Sequence, residues 1–156
     1  QFRLVLELQP RHARGHYNFG KVLAATGQIE AALTHFQKAT KIKSDWWAPL
    51  KQQAWILATH PDGRWRHGKE ALRLAKQAVD LVGRYDPGRF LVFVGVRDTL
   101  AAAYAENGQF DQAMAFIEEA ITLAVELNNQ EMASKLRARL ECYRKHQPYR
   151  ELGRQP

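Results

Sequence analysis

The chain has 156 residues, enough for one domain with a continuous core, and its 46% hydrophobic and 25% charged content is ordinary for a globular protein. No apolar run approaches the ~18 residues of a membrane span, and residues 1–10 are too short and too charged for a secretion signal. The formal net charge of +7 favours acidic partners, while the single Cys142 excludes an internal disulfide framework and fits no metal-ligand spacing. Arg137, Arg139, Arg144, Lys145, Arg150 and Arg154 crowd the last part of the chain without forming a lysine–arginine block. An acidic protein segment is therefore expected as partner before nucleic acid. The compartment stays open between cytoplasm and, for a region attached to a membrane enzyme, the far side of a membrane.

In chain order, Phe2, Val5 and Leu6 stand at helical spacing before Pro10. Residues 14–43 read as a helix hairpin: His16, Phe19, Gly20 and Leu23 mark the first helix, Thr26-Gly27-Gln28 the turn, and Ala32, Phe36 and Ala39 the second. A shift of 34 residues places Phe2 on Phe36 and Gly20 on Ala54, which starts a second copy with Leu50, Gln53, Leu57, Ala71 and Ala75. Here Ala54 to Ala71 spans 17 residues, against 12 from Gly20 to Ala32, so five are inserted. His60-Pro61-Asp62-Gly63 within that insertion is turn chemistry, which predicts an enlarged loop.

A further excess falls near Gly83–Gly88, after which residues 89–96 are expected to lengthen the next helix at its start. Residues 98–124 form the third hairpin, with Leu100, Ala101 and Tyr104 on one helix, Asn107-Gly108 at the turn, and Ala113, Ile117 and Ala120 on the other. Asp111 suits the start of that second helix. After Asn128-Asn129, Met132, Leu136, Leu140 and Tyr143 draw an apolar stripe along one more helix, which is expected to cap the stack. Cys142 beside the stripe reads as a small buried apolar residue.

The pattern W-x2-L-G-x2-Y, A-x3-F over 34 residues characterises the tetratricopeptide (TPR) repeat. This chain is similar to it at His16-x2-Phe19-Gly20-x2-Leu23 with Ala32-x3-Phe36, at Leu50-x2-Gln53-Ala54-x2-Leu57 with Ala71-x3-Ala75, and at Arg97-x2-Leu100-Ala101-x2-Tyr104 with Ala113-x3-Ile117. The resemblance covers residues 1–128. It implies an all-α, right-handed α-solenoid of antiparallel helix hairpins with a C-terminal capping helix. The expected division is 1–12 as the tail of a truncated repeat, 13–46, 47–86 and 87–128 as repeats, 129–147 as the cap, and 148–156 as a flexible tail. Exposure of the packing face of residues 15–23 would allow self-association through the N-terminal end.

No phosphate loop, His-Glu-x-x-His pair or Ser/Cys nucleophile motif occurs in the sequence. His12 and His16 are four apart but lack a third ligand nearby in sequence, and Asp62, Glu70 and Asp80 show no acid–base pairing. Neither an enzyme activity nor a cofactor or metal site is expected. The resemblance implies instead a non-enzymatic scaffold that binds a peptide or partner segment in its concave groove. Carried over by alignment, the groove face comprises Arg14, Tyr17, Asn18, Lys21 and Ala25, then Lys51, Gln52, Trp55 and Thr59, then Asp98, Thr99, Ala102 and Glu106. Arg14, Tyr17, Asn18, Lys21, Lys51, Gln52, Trp55 and Asp98 are the expected peptide contacts, with Tyr17 and Trp55 as aromatic anchors. Tyr17, Gln52 and Asp98 depart from the carboxylate clamp of some TPR domains, which argues against a chaperone-tail receptor. Residues 57–81 followed by 98–113, and the Pro148–Glu151 ending, also resemble bacterial arrays, some of them appended to membrane glycosyltransferases. The alternative is thus a regulatory or substrate-presenting region of such an enzyme.

Overall fold

The computed structural model describes residues 12–85, 88 and 90–151. The reading of Phe2 and Pro10 as the end of a further repeat lies outside them. Among the described residues seven α-helices follow one another: α1 (Ala13–Ala25), α2 (Ile29–Ile42), α3 (Trp47–Thr59), α4 (Gly68–Tyr85), α5 (Phe90–Glu106), α6 (Phe110–Glu126) and α7 (Gln130–Arg144). A short 3₁₀ turn at Gly63–Trp65 interrupts the α3–α4 connection. Consecutive helices pack as hairpins, and α3 also packs on α5 between hairpins. The fold is all-α, a stack of sequential helix hairpins.

The small residues that defined the repeats are where the helices touch. Ala32, Phe36 and Ala39 of α2, Ala71, Ala75 and Ala78 of α4, and Ala113, Ile117 and Ala120 of α6 are all buried at three- and four-residue steps. α3 and α5 are buried on more than one side, because each lies between its own hairpin partner and the next repeat. The predicted lengthening of the third repeat is present: α5 has 17 residues where α1 and α3 have 13. α7 buries Ala133, Leu136, Leu140 and Tyr143 and packs against α6. Cys142 is only half-buried, its thiol directed at the Ala138 carbonyl, so its packing is looser than expected.

One backbone device ends four of the helices. At α1, Gly27 N–H donates to Ala24 O and Gln28 N–H to Leu23 O; the same pair of bonds recurs at Gly108 and Gln109, at Asn128 and Asn129, and at His146 and Gln147. The pivot residue is left-handed each time, with φ of 79°, 73°, 56° and 53°. Gly108→Ala is expected to cost about 1 kcal/mol, since only the Cβ penalty of this conformation is at stake and nothing crowds the position. Urea melts of the two forms would check it, and an unchanged midpoint would count against the turn as the determinant.

α3 lacks that device. Its C-cap is followed by Pro61, so its last carbonyls must find donors elsewhere. His67 N–H reaches Leu57 O at 2.9 Å from across the enlarged loop. The remaining two are met from the far end of the chain: Arg150 Nη1 donates to Ala58 O at 3.2 Å and Glu151 N–H to Thr59 O at 2.9 Å. Within the tail expected to be flexible over 148–156, residues 150 and 151 therefore bond to the unfinished end of α3. Residues 152–156 lie outside the described residues.

Candidate binding groove

The groove forms where α1, α3, α5 and α7 present their polar sides. A cavity of about 920 Å³ is lined by Lys21 of α1, Lys51, Gln52 and Trp55 of α3, Asp98 of α5 and Arg139 of α7, among others. Lys51 can lie along α5 because Gly95 leaves room there: a Cβ at Gly95 would stand 3.2 Å from Lys51 Cε. The Trp55 indole Nε1 donates to Glu151 Oε2 at 2.8 Å, which brings the tail to the cavity wall.

An ion pair sits at its base. Arg139 Nη1 donates to Asp98 Oδ2, with the two side chains 18% and 13% exposed. The Arg139 guanidinium lies over two neighbouring rings, 4.8 Å from the centroids of both Trp55 and Tyr149, which are themselves 5.9 Å apart. Burial pushes the Asp98 carboxyl above the ordinary aspartate range, against the pull of Arg139 and Lys51. Burial works against the Arg139 charge, yet the Asp98 carboxylate and its hydrogen bond leave Arg139 raised. The Arg139 guanidinium keeps its proton and donates to Oδ2. Asp98 Oδ1 and the buried Tyr143 hydroxyl have no hydrogen-bond partner among the described residues. Burial first, and the Asp98 charge second, push the Tyr143 phenol above its usual range.

Lys51 is the other cation at the site, and it is half-buried. Burial lowers its pKa, Arg139 and Lys21 add to that, and Asp98 and Glu151 oppose it. Its ammonium group makes no hydrogen bond or ion pair among the described residues. An ammonium partly stripped of water without a partner is an acceptor's place.

At the rim, Glu106 at the end of α5 joins two segments. Arg66 Nε stands 3.3 Å from Oε1 and Arg150 Nη1 2.6 Å from Oε2. Arg66 also donates to the His60 and Pro61 carbonyls at 2.9 and 2.8 Å, which folds the enlarged loop against the groove. The loop is thus a wall of the site.

Of the sequence-predicted contacts, Lys21, Lys51, Gln52, Trp55 and Asp98 come together around the cavity. Arg14, Tyr17 and Asn18 do not line it. Tyr17 packs on Trp46 and Phe36, with ring centroids at 4.8 and 5.9 Å, and carries the Lys21 ammonium over its face at 5.7 Å. It holds the α1–α2 hairpin to the next repeat rather than standing free as an anchor. Thr59 and Thr99 bond back to the carbonyls of Trp55 and Gly95. His16 is buried with its Nδ1 2.9 Å from Nδ1 of His35, so its ring faces α2. Among the described residues no group of three His, Cys, Asp or Glu could hold a metal ion. Sequence reasoning missed Arg139 and the tail, since both reach the groove only through the way α7 packs against α6.

A stacked-hairpin fold with a polar concave cavity defines the class of helical-repeat proteins. Residues 13–45 and 95–131 each match a model of the tetratricopeptide repeat. The chain belongs to the tetratricopeptide repeat family, whose repeats are generally protein–protein interaction modules. A comparison with curated proteins returned no match. Among the described residues no helix is long and apolar enough to cross a membrane.

Proposed function

We propose that this chain is a non-enzymatic interaction scaffold whose concave groove holds an extended, acidic segment of a protein partner. The observation that carries this reading is the cavity in which half-buried Lys51, without a hydrogen-bond partner among the described residues, stands beside Lys21 and the Trp55 indole. A carboxylate there would meet two ammonium groups and, on displacing Glu151, the ring N–H donor of Trp55. Trp55 and Arg139 supply the kind of side chains on which binding energy concentrates. The net charge of +7 adds long-range attraction for such a segment.

Selection of a displayed random-peptide library on the chain tests this. Enriched peptides are expected to be rich in Asp or Glu and to lose at least about tenfold in affinity to the Lys21→Glu, Lys51→Glu double variant, the worth of one lost charge-assisted contact. Binding that is indifferent to both substitutions would remove the groove from the account.

A further inference from the structure

The segment Tyr149-Arg150-Glu151 follows the helix-ending turn at His146 and Gln147 and then enters the groove without helical structure. Each of its three side chains meets a separate feature of the concave face. Tyr149 covers Arg139 at 4.8 Å and lies 5.9 Å from the Trp55 ring. Arg150 joins Glu106 and the Ala58 carbonyl. Glu151 accepts from Trp55 Nε1 while its own N–H donates to Thr59 O. Aromatic meets cation, base meets acid and helix-end carbonyl, and acid meets indole N–H near Lys51.

These complementarities follow from groups that the hairpins supply without the tail. The C-terminal carbonyls of α3 carry the negative end of the helix dipole and want a cation or an N–H. Glu106 wants a cation beyond Arg66. Lys51 and Trp55 want an acceptor. A segment laid in this register must therefore read aromatic, basic, acidic.

We infer that Tyr149-Arg150-Glu151 is a ligand held in cis, and that the groove's partner is an extended protein segment of the same aromatic–basic–acidic order that competes with it. This rests on the groove reading above and names its ligand class. The contest is unequal: three residues separate Arg144, the last of α7, from Pro148, so the tail faces its site at a local concentration on the order of millimolar. A free segment sees only the fraction of molecules whose tail has left, and its apparent affinity falls by that fraction.

The test uses the full chain, ¹⁵N-labelled, with the Trp55 indole N–H resonance identified by its disappearance in Trp55→Phe. The variant Tyr149→Ala, Arg150→Ala, Glu151→Ala is expected to shift that resonance, because its hydrogen bond to Glu151 is gone. An acetylated synthetic peptide with the sequence of residues 147–152 should return it toward its wild-type position. It should do so at a concentration at least about tenfold below that needed with the wild-type chain, and its Glu-to-Gln version should require several-fold more. If the triple variant loses helix by circular dichroism, Glu151→Gln serves, with the same indole shift expected. An indole resonance identical in wild type and variant, or a folded variant that millimolar peptide leaves unmoved, would overturn the inference.

The two readings fail separately. If this peptide binds but library-selected acidic peptides do not displace it, the acidic-partner reading falls and the tail stands as a ligand. If selected peptides bind the wild-type and triple-variant chains equally well, the tail is no competitor and the groove reading survives.

Discussion

Asp98→Ala is expected to destabilise the protein by about 3–5 kcal/mol, the usual consequence of removing one partner of a buried ion pair. For a chain of this size that corresponds to roughly 6–20 °C in Tm. The cause is what remains: Arg139 stays over the Trp55 and Tyr149 rings with Lys51 nearby, and the carboxylate it was paired with is gone. Replacing both members, Asp98→Leu with Arg139→Met, is expected to recover most of the loss, since a well-packed apolar pair needs no partner. That double variant separates stability from recognition, because it folds but lacks the cation that Tyr149 covers.

Arg139→Met alone gives a loss that depends on pH, with a definite sign. Burial already raises the Asp98 carboxyl above its unfolded value near 3.9, and Arg139 is the largest influence holding it down. A folded-state pKa above the unfolded one means that this site's contribution is fully present below the unfolded value and is lost as pH rises through the folded one. Without Arg139 the folded value climbs further and the loss extends to higher pH. The gap between wild type and Arg139→Met in denaturant melts should accordingly be small near pH 4 and widen toward pH 8. A gap that is constant across that range would show that Asp98 is not the buried acid described.

Most of this architecture was legible because it rests on local rules. The small residues Ala32, Ala71 and Ala113 and the turns at Gly27, Gly108 and Asn128 repeat a backbone geometry that needs those residue types. Of the residues expected at the groove, Lys21, Lys51, Gln52, Trp55 and Asp98 could be named from the sequence because helix periodicity sets them apart from the packing positions of α1, α3 and α5. Tyr17 misled for a related reason. An aromatic on the polar side of α1 looks like an anchor, but Trp46, just before α3, comes near enough to take its ring.

The missing parts depended on distant pairs. Arg139 sits 41 positions from Asp98 and Glu151 96 positions from Trp55, and no spacing rule connects them. The clue to the tail was an absence: α3 ends in His60-Pro61 where the other first helices end in a left-handed residue, so its carbonyls needed donors from somewhere. That the donors come from residues 150 and 151 follows only once α7 has packed against α6.

Phe36→Ala is expected to cost a further 3–5 kcal/mol or so by a different mechanism, and its second-site behaviour identifies that mechanism. The Phe36 ring is fully buried and lies against the backbone of α1 at Gly20, where a Cβ would stand 2.7 Å from its Cε1 and 2.9 Å from its Cδ1. In the wild-type chain Gly20→Ala should therefore destabilise by about 1–3 kcal/mol, because the ring has no room to move. It does so even though alanine favours a helix interior by about 1 kcal/mol over glycine. Once Phe36 is alanine the obstruction is gone, and Gly20→Ala should become neutral or stabilising. The change of sign, measured as a coupling of at least about 1 kcal/mol in a double-mutant cycle, is what direct contact requires and simple helix propensity does not. The same contact sets where α1 lies against α2, and so where Lys21 stands opposite Lys51 across the cavity. Phe36→Ala should consequently weaken an acidic peptide at the Lys21 side while leaving the Trp55–Glu151 resonance in place, whereas a general loosening of the stack would move both.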